Sequence, residues 1–497
     1  MAEGSHPDPV VVVGAGQGGY QTAASLREHG YRGRLVLIDA EDELPYEKPP
    51  LSKAYLQGEA DEAQLWLRPV SYYARQSIEL VAGSVTAVDP AARTVRLADG
   101  SVYEYGHLVL ATGATPRTLG VPGAGLRGVH TLRTAQDAAA LRTSLRAARH
   151  AVVVGAGFIG LEFAAAARRA GCEVTVVEAL DRPLARAVSA RTAEHFTRLH
   201  RREGSRMVFG QGVAALHGDE RGAVAAVELA DGARLPADLV LAGIGVIPRT
   251  GLAAAAGLRV SGGIVVDAHL LTSDPHISAI GDCAAFPQVR SGNRLRLESV
   301  QNAVGHAELV AARLTGESRG YRELPWFWSD QFATTVQIAG LDEGHDTQGC
   351  SATTRTRSRC CCSGAASCRR WSRSTGPPTT SRPGSCWTGG FRWTRSRPPR
   401  PASRSGATSR ATGGSPPCPW ADRTSGWPIL AGPRPDRVPA APAPPHRGAG
   451  ARQRNKGFRK TLAPPLSKVR SKNNRFFIPG RFSAMPGAGP PGPNLHS

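Results

Sequence analysis

Acidic residues all but vanish from the last third of this 497-residue chain. Residues 347–497 carry 27 lysines and arginines but only two acids, Asp422 and Asp436. The preceding part holds 34 basic and 38 acidic residues, so the formal charge of +21 belongs to the tail, and the rest is an ordinary, slightly acidic chain. Cysteine is as unevenly spread. None occurs between Met1 and Gly171; Cys172 and Cys283 follow, and the other seven of nine lie beyond Thr347. No C-x-x-C pair or cysteine–histidine spacing suits a metal, so no metal site is expected. Long apolar runs are missing too. Nothing reaches about eighteen residues, the span of a membrane helix, and Met1–Pro9 has no apolar core of a secretory leader. The expectation is a cytoplasmic protein that does not enter a membrane.

Glycine is placed with more purpose. VVVVGAGQGG sets Gly14, Gly16 and Gly19 in a G-x-G-x-x-G pattern, and AVVVGAGFIGLE repeats it with Gly155, Gly157 and Gly160. Each copy follows a valine run and opens an alanine-rich helical stretch, the context that lifts this motif above chance. The first glycine makes a tight strand-to-helix turn, the second lets backbone approach a pyrophosphate, and the third lets helix and strand pack closely. The helix N-terminus then presents free N–H groups to the phosphates. Two such units imply two dinucleotides, and with them electron or hydride transfer between the pair.

Each unit needs an acid at the end of its second strand to bind a ribose. CEVTVVE ends on Glu178, and RLVLIDAEDE offers Asp39, with Glu41 second. The plainer reading leaves these acids in surface turns. A carboxylate at Glu178 welcomes a free 2′-hydroxyl and repels a 2′-phosphate, which points to NADH rather than NADPH.

A third motif, TSDPHISAIGDCA (Thr272–Ala284), is an apolar strand ending at Gly281-Asp282. It resembles the second flavin segment of the two-dinucleotide flavoprotein disulfide-reductase superfamily. HLVLATGATPR resembles the exit from the FAD domain of those proteins, and LAGIGVIPRT the return from their NAD domain. LPYEKPPLSKAYLQG (Leu44–Gly58), LRTAQDA, ESVQNA and PWFWSDQ narrow the resemblance to the ferredoxin reductases that serve bacterial oxygenases, putidaredoxin and rubredoxin reductases included. It covers roughly residues 8–346. By this resemblance Lys53, Val85, Arg133, Asp282 and Val300 contact FAD, with Asp282 on the ribityl chain. Lys53 and Glu162 match a pair beside the flavin. Trp328 matches an aromatic near the flavin–nicotinamide site, though a core tryptophan fits as well. An acid is common in the family where this chain has Ala40, which leaves the first ribose contact less defined.

Disulfide-reducing relatives need a redox cysteine pair next to the flavin, and this chain has none there. Cys172 and Cys283 read as small buried residues. Electrons must then leave the flavin for an external acceptor, and the family implies a 2Fe–2S ferredoxin. The function expected is NADH to FAD to a small iron–sulfur protein. The alternatives are a rubredoxin reductase or another NADH oxidoreductase of this fold, a basic-tailed flavoprotein that binds nucleic acid, and an inactive product of a damaged gene.

The expected fold is α/β, with two Rossmann-like domains. An FAD domain (8–112 and 249–320) is interrupted by an NAD domain (113–248). Residues 321–346 are then the remnant of a third, α+β domain, and 347–497 a disordered or out-of-frame tail. Three readings of that tail compete: a module for nucleic acid or an anionic surface, a disordered Ser/Pro/Arg linker, or translation in the wrong frame. The genetic code favours the last. Read one base earlier, with G/C-ending codons favoured and the wobble base free, Ser358–Cys362 can decode as Phe-Ala-Leu-Leu-Leu, and Trp371–Thr379 as Val-Val-Ala-Val-Asp-Arg-Pro-Ala-Asp. Cys386–Arg395 can decode as Leu-Leu-Asp-Gly-Gly-Leu-Pro-Val-Asp-Pro. Such apolar runs and Asp-rich turns resemble the C-terminal domain of the same reductases.

Overall fold

The computed structural model describes residues 8–288, 292–317, 319–340, 347–354, 357–363 and 390–395. The valines at 10–13 form a strand buried on both faces, as a central parallel strand must be when helices cover both sides. It pairs in parallel with Leu35–Asp39 on one side and His107–Leu110 on the other. Ile277–Ala279 and Ile78–Ala82 complete a five-stranded sheet. Helix Gln17–Glu28 stops where Gly30 takes a φ of +85°, conformational space that glycine enters at no steric cost.

The plan then repeats. His150–Val154 pairs with Glu173–Glu178 and Leu239–Ala242, and Arg206–Phe209 and Val129–His130 flank them. Helix Phe158–Arg169 ends before Gly171, whose φ is +92°. Each sheet is accompanied by a three-stranded antiparallel meander, Val85–Glu104 in the first case and Val213–Pro236 in the second. Between the two sheets the chain passes out along Ala114–Pro116 and back along Val246–Pro248, and these short strands pair antiparallel. The fold is thus two parallel-sheet nucleotide folds, the second inserted into the first.

Helix Val300–Leu314 packs against Gln17–Glu28 and buries a face of small residues, among them Ala303, Ala307 and Ala311. A third sheet starts with the hairpin Trp326–Gln331 and Thr334–Ala339. The backbone of Gly390–Arg395, Arg357–Ser363 and Thr347–Thr354 continues it in that order. The rest of the residues read as a tail, 355–356, 364–389 and 396–497, lie outside the described residues. Among the described residues no helix is long and apolar enough to cross a membrane.

Candidate functional site

The two glycine loops can be compared atom for atom. A Cβ on Gly14, whose φ is +102°, would sit 2.3 Å from Ala111 O, and one on Gly19 would sit 1.8 Å from Gly14 O. In the second loop Gly155 has a φ of +99° and its Cβ would meet Gly243 O at 2.5 Å; that of Gly160 would meet Gly155 O at 2.2 Å. The first and third glycines are therefore demanded by the protein's own backbone. The middle ones are not. Gly16 and Gly157 have ordinary extended backbones, and a Cβ there would meet nothing closer than 3.9 Å. Each of these two is the N-cap of the helix that follows, with no capping side chain, so the space in front of the helix N–H groups stays open. A pyrophosphate fits that cradle.

The strand-end acids repeat the symmetry. Asp39 Oδ2 accepts from the Ala15 N–H at 2.9 Å, and Glu178 Oε2 from the Ala156 N–H at 2.7 Å. Their second oxygens accept from Glu41 N–H at 3.3 Å and Leu180 N–H at 2.9 Å. Burial raises the Asp39 pKa, and the two backbone donors pull it back. Glu41, the second choice from the sequence, lines the same cavity as Asp39. It is held by the Tyr46 hydroxyl and by Lys48 Nζ at 3.2 Å. Lys48, whose pKa is lowered by burial and raised by Glu41, lines that cavity and an adjoining one. Tyr46 and Lys48 lie within the Leu44–Gly58 motif, whose pattern assigns them no role. Their side chains meet Glu41 through a loop fold that no local pattern encodes.

Two adjoining cavities share part of their walls. One is lined by Gly14, Asp39, Glu41, Val85 and Arg249. The other is lined by Lys53, Asp282, Glu298, Val300 and Trp328, with Gly16, Lys48 and Arg133 common to both. Every residue assigned to FAD by resemblance thus borders one or both of them. Arg133 Nη2 and Asp282 Oδ2 form an ion pair at 2.8 Å. Arg296 approaches the Asp282 carbonyl at 3.1 Å and Glu298 at 2.7 Å. Burial raises the Glu298 pKa, which Arg296 partly offsets.

At the far end of the second cavity stand Ile159 and Glu162, on the helix that the second glycine loop opens. Lys53 sits at the junction of the short helices Pro49–Ser52 and Ala54–Gln57, and its Nζ lies 2.9 Å from Glu162 Oε2. Glu162 is nearly fully buried, and Ser52 and Ser329 also donate to it, at 2.5 and 2.7 Å. Trp328 is half-buried, borders the cavity and stacks obliquely on the buried Trp326, with ring centroids 5.2 Å apart. Among the described residues, Cys172 and Cys283 are free and buried, and neither lines this end of the cavity. Among the described residues no cluster of His, Cys, Asp or Glu is placed to hold a metal.

Comparison with known proteins agrees with this geometry. Residues 8–307 match the pyridine nucleotide-disulphide oxidoreductase family, and residues 326–366 match the reductase C-terminal family. The chain is 49% identical over 339 residues to rhodocoxin reductase of Rhodococcus erythropolis, an alignment that covers 68% of this chain and 79% of the relative. A ferredoxin reductase for the CYP199A2 system from Rhodopseudomonas palustris superposes with a TM-score of 0.72 at 44% identity, covering 78% of this chain and 91% of that one. The covalent putidaredoxin reductase–putidaredoxin complex gives a TM-score of 0.69 at 40% identity, with 71% and 87% covered. Since the family match spans residues 8–307 and takes in both glycine cradles, the chain belongs to the pyridine nucleotide-disulphide oxidoreductase family.

Proposed function

We propose that this protein is an NADH-dependent ferredoxin reductase that passes electrons through FAD to a small iron–sulfur protein. One observation carries the reading above others. A single cavity runs from Gly16, at the first cradle, to Ile159 and Glu162, on the helix that starts at the second. A group held at the first cradle and a nucleotide held at the second would therefore meet at Lys53 and Glu162. FAD, when bound, supplies the conversion of two-electron hydride chemistry into one-electron transfer.

The chain's own residues do the rest. Gly14, Gly16 and Gly19 shape the FAD cradle, with Asp39 at its ribose end. Arg133, Asp282, Val85 and Val300 border the remaining length, and Gly155, Gly157 and Gly160 with Glu178 hold the coenzyme. Lys53 and Glu162 form a fixed charge pair at the junction, where preorganised charge can stabilise what develops during reduction. With no cysteine among the described residues that line the two cavities, the acceptor is an external protein. A 2Fe–2S ferredoxin fits best, with rubredoxin second, and the cytoplasm is where the chain would act. Residues 8–112 with 249–320 are the FAD domain, and 113–248 the NAD domain. The third domain starts at 321; its family match runs to residue 366, and the change of reading frame is placed near Thr347, inside that match.

Coenzyme choice is the direct test. Wild-type protein should show a higher kcat/KM with NADH than with NADPH. Glu178→Ala, combined with an arginine introduced nearby, should narrow or reverse that ratio by removing the carboxylate that repels a 2′-phosphate. A wild-type preference for NADPH would overturn the assignment of Glu178. Failure to reduce any iron–sulfur acceptor, once the frame beyond Thr347 is restored, would overturn the reaction itself.

A further inference from the structure

Glu162 is the end point of a buried polar chain that starts in another element 38 residues away. Glu162 Oε1 accepts from Ser329 Oγ at 2.7 Å, and Gln331 Nε2 donates to Ser329 Oγ at 3.1 Å. Gln331 Oε1 faces His200 Nε2 at 3.0 Å. Since that amide oxygen can only accept, His200 must donate from Nε2. His200, Gln331 and Ser329 are all fully buried. Every hydrogen in the chain therefore points the same way: His200 to Gln331, Gln331 to Ser329, Ser329 to Glu162. Lys53 and Ser52 complete the set by donating to Oε2.

Packing alone would not choose these residues. Phe327, Ser329 and Gln331 alternate along one strand, so they project to the same side. Phe327 packs on Phe158, with ring centroids 4.5 Å apart. Continuing that apolar contact would have been the simpler way to dock the hairpin, because buried polar groups cost free energy unless bonded. Instead the strand changes to two polar residues, and both are spent on the route to Glu162. The hairpin turn is pinned as well. Arg169 Nη2 donates to the Phe332 carbonyl at 2.6 Å, and the Phe332 ring meets the His200 ring edge-on at 5.0 Å.

We propose that Ser329, Gln331 and His200 are positioning residues for the redox site, a one-directional donor relay that fixes the Glu162 carboxylate and through it Lys53. Helix Ala190–Arg202 and the first hairpin of the third sheet thereby become working parts of the flavin end of the cavity. This inference rests on the assignment of Lys53 and Glu162 to that site.

The test uses the full chain loaded with FAD, with two readouts: the rate of flavin reduction by NADH, and the midpoint potential of the bound flavin. Ser329→Ala should slow reduction about tenfold, the scale of one hydrogen bond to a charged group. It should also move the potential to more negative values, because a cation no longer held in place stabilises added electrons less. Ser329→Thr, which keeps the hydroxyl, should restore both. Gln331→Met removes the polarity at matched volume and should behave as Ser329→Ala does, even if the alanine variant folds poorly. Lys53→Met is the control for the site itself. A changed potential in Lys53→Met with unchanged values in Ser329→Ala and Gln331→Met would overturn the relay alone. Unchanged values in all three would overturn the role of the pair, and the relay with it.

Discussion

Gly16 and Gly157 differ from their neighbours in what makes them glycine. Gly14, Gly19, Gly155 and Gly160 are held by clashes with backbone oxygens, whereas the middle glycine of each loop faces open cradle. Gly16→Ala should therefore leave the melting temperature of cofactor-free protein nearly unchanged, while FAD binds more weakly by about 1–3 kcal/mol, the scale of an overpacked contact. Gly19→Ala should instead destabilise the fold before any cofactor is added. Thermal unfolding beside a flavin-binding titration separates the two. Equal loss of stability in both variants would show that the cradle is not open as described. This difference was legible in the sequence, because a glycine fingerprint is local and its geometry repeats wherever it occurs. Lys48 and Tyr46 were not legible as site residues, since their meeting with Glu41 depends on how a loop folds back on itself. His200 and Gln331 lie 131 residues apart, and nothing in either segment announces the other.

At the scale of the element, helix Ala135–Ala147 shows how a cap can serve a site. Thr134 and Asp137 form a capping box, and Asp137 Oδ2 also accepts from the Arg133 N–H at 2.9 Å. Thr134→Ala removes one half of the box and should cost about 1 kcal/mol of stability with little effect on FAD. Asp137→Ala also frees Arg133, the partner of Asp282, and should speed FAD release; equal release rates in the two variants would count against that link. Helix ends are legible where a glycine follows an alanine-rich stretch, as Gly30 and Gly171 do, stopping their helices by taking positive φ. The antiparallel meander of residues 85–104 is harder to read from sequence, since two of its three strands bury at most one residue each.

For the whole molecule, three buried histidines in different parts of the fold set an acid limit. Burial lowers the pKa of His107 and His306 to about 3 and that of His200 to about 4. A depressed folded pKa means that this contribution to stability is present above the unfolded value of 6.5. It is lost as pH falls toward 4, because the unfolded chain takes up the protons first. At pH 5 each histidine should cost about 2 kcal/mol relative to neutral pH, roughly 6 kcal/mol for the three, a large share of a typical folding free energy. Denaturant midpoints should drop steeply between pH 6.5 and 5; a flat profile would show that these side chains are not buried and neutral. The tail is testable on the same scale. Restoring the reading frame near Thr347 should raise ferredoxin-dependent turnover at least tenfold while the rate of flavin reduction by NADH stays within twofold. Retained electron delivery in the chain as it stands, together with a protease-resistant core spanning Cys350–Trp427, would instead make the basic segment a native module.

The antiparallel pairing of Ala114–Pro116 with Val246–Pro248 also has a historical consequence. Thr115 lies opposite Ile247, so the intervening residues leave the first sheet and rejoin it at one place. An insertion whose ends already touch can be gained, lost or exchanged without redrawing the host's strand order. Lineages of such proteins could therefore change electron donors by trading one cassette while the flavin scaffold stayed as it was.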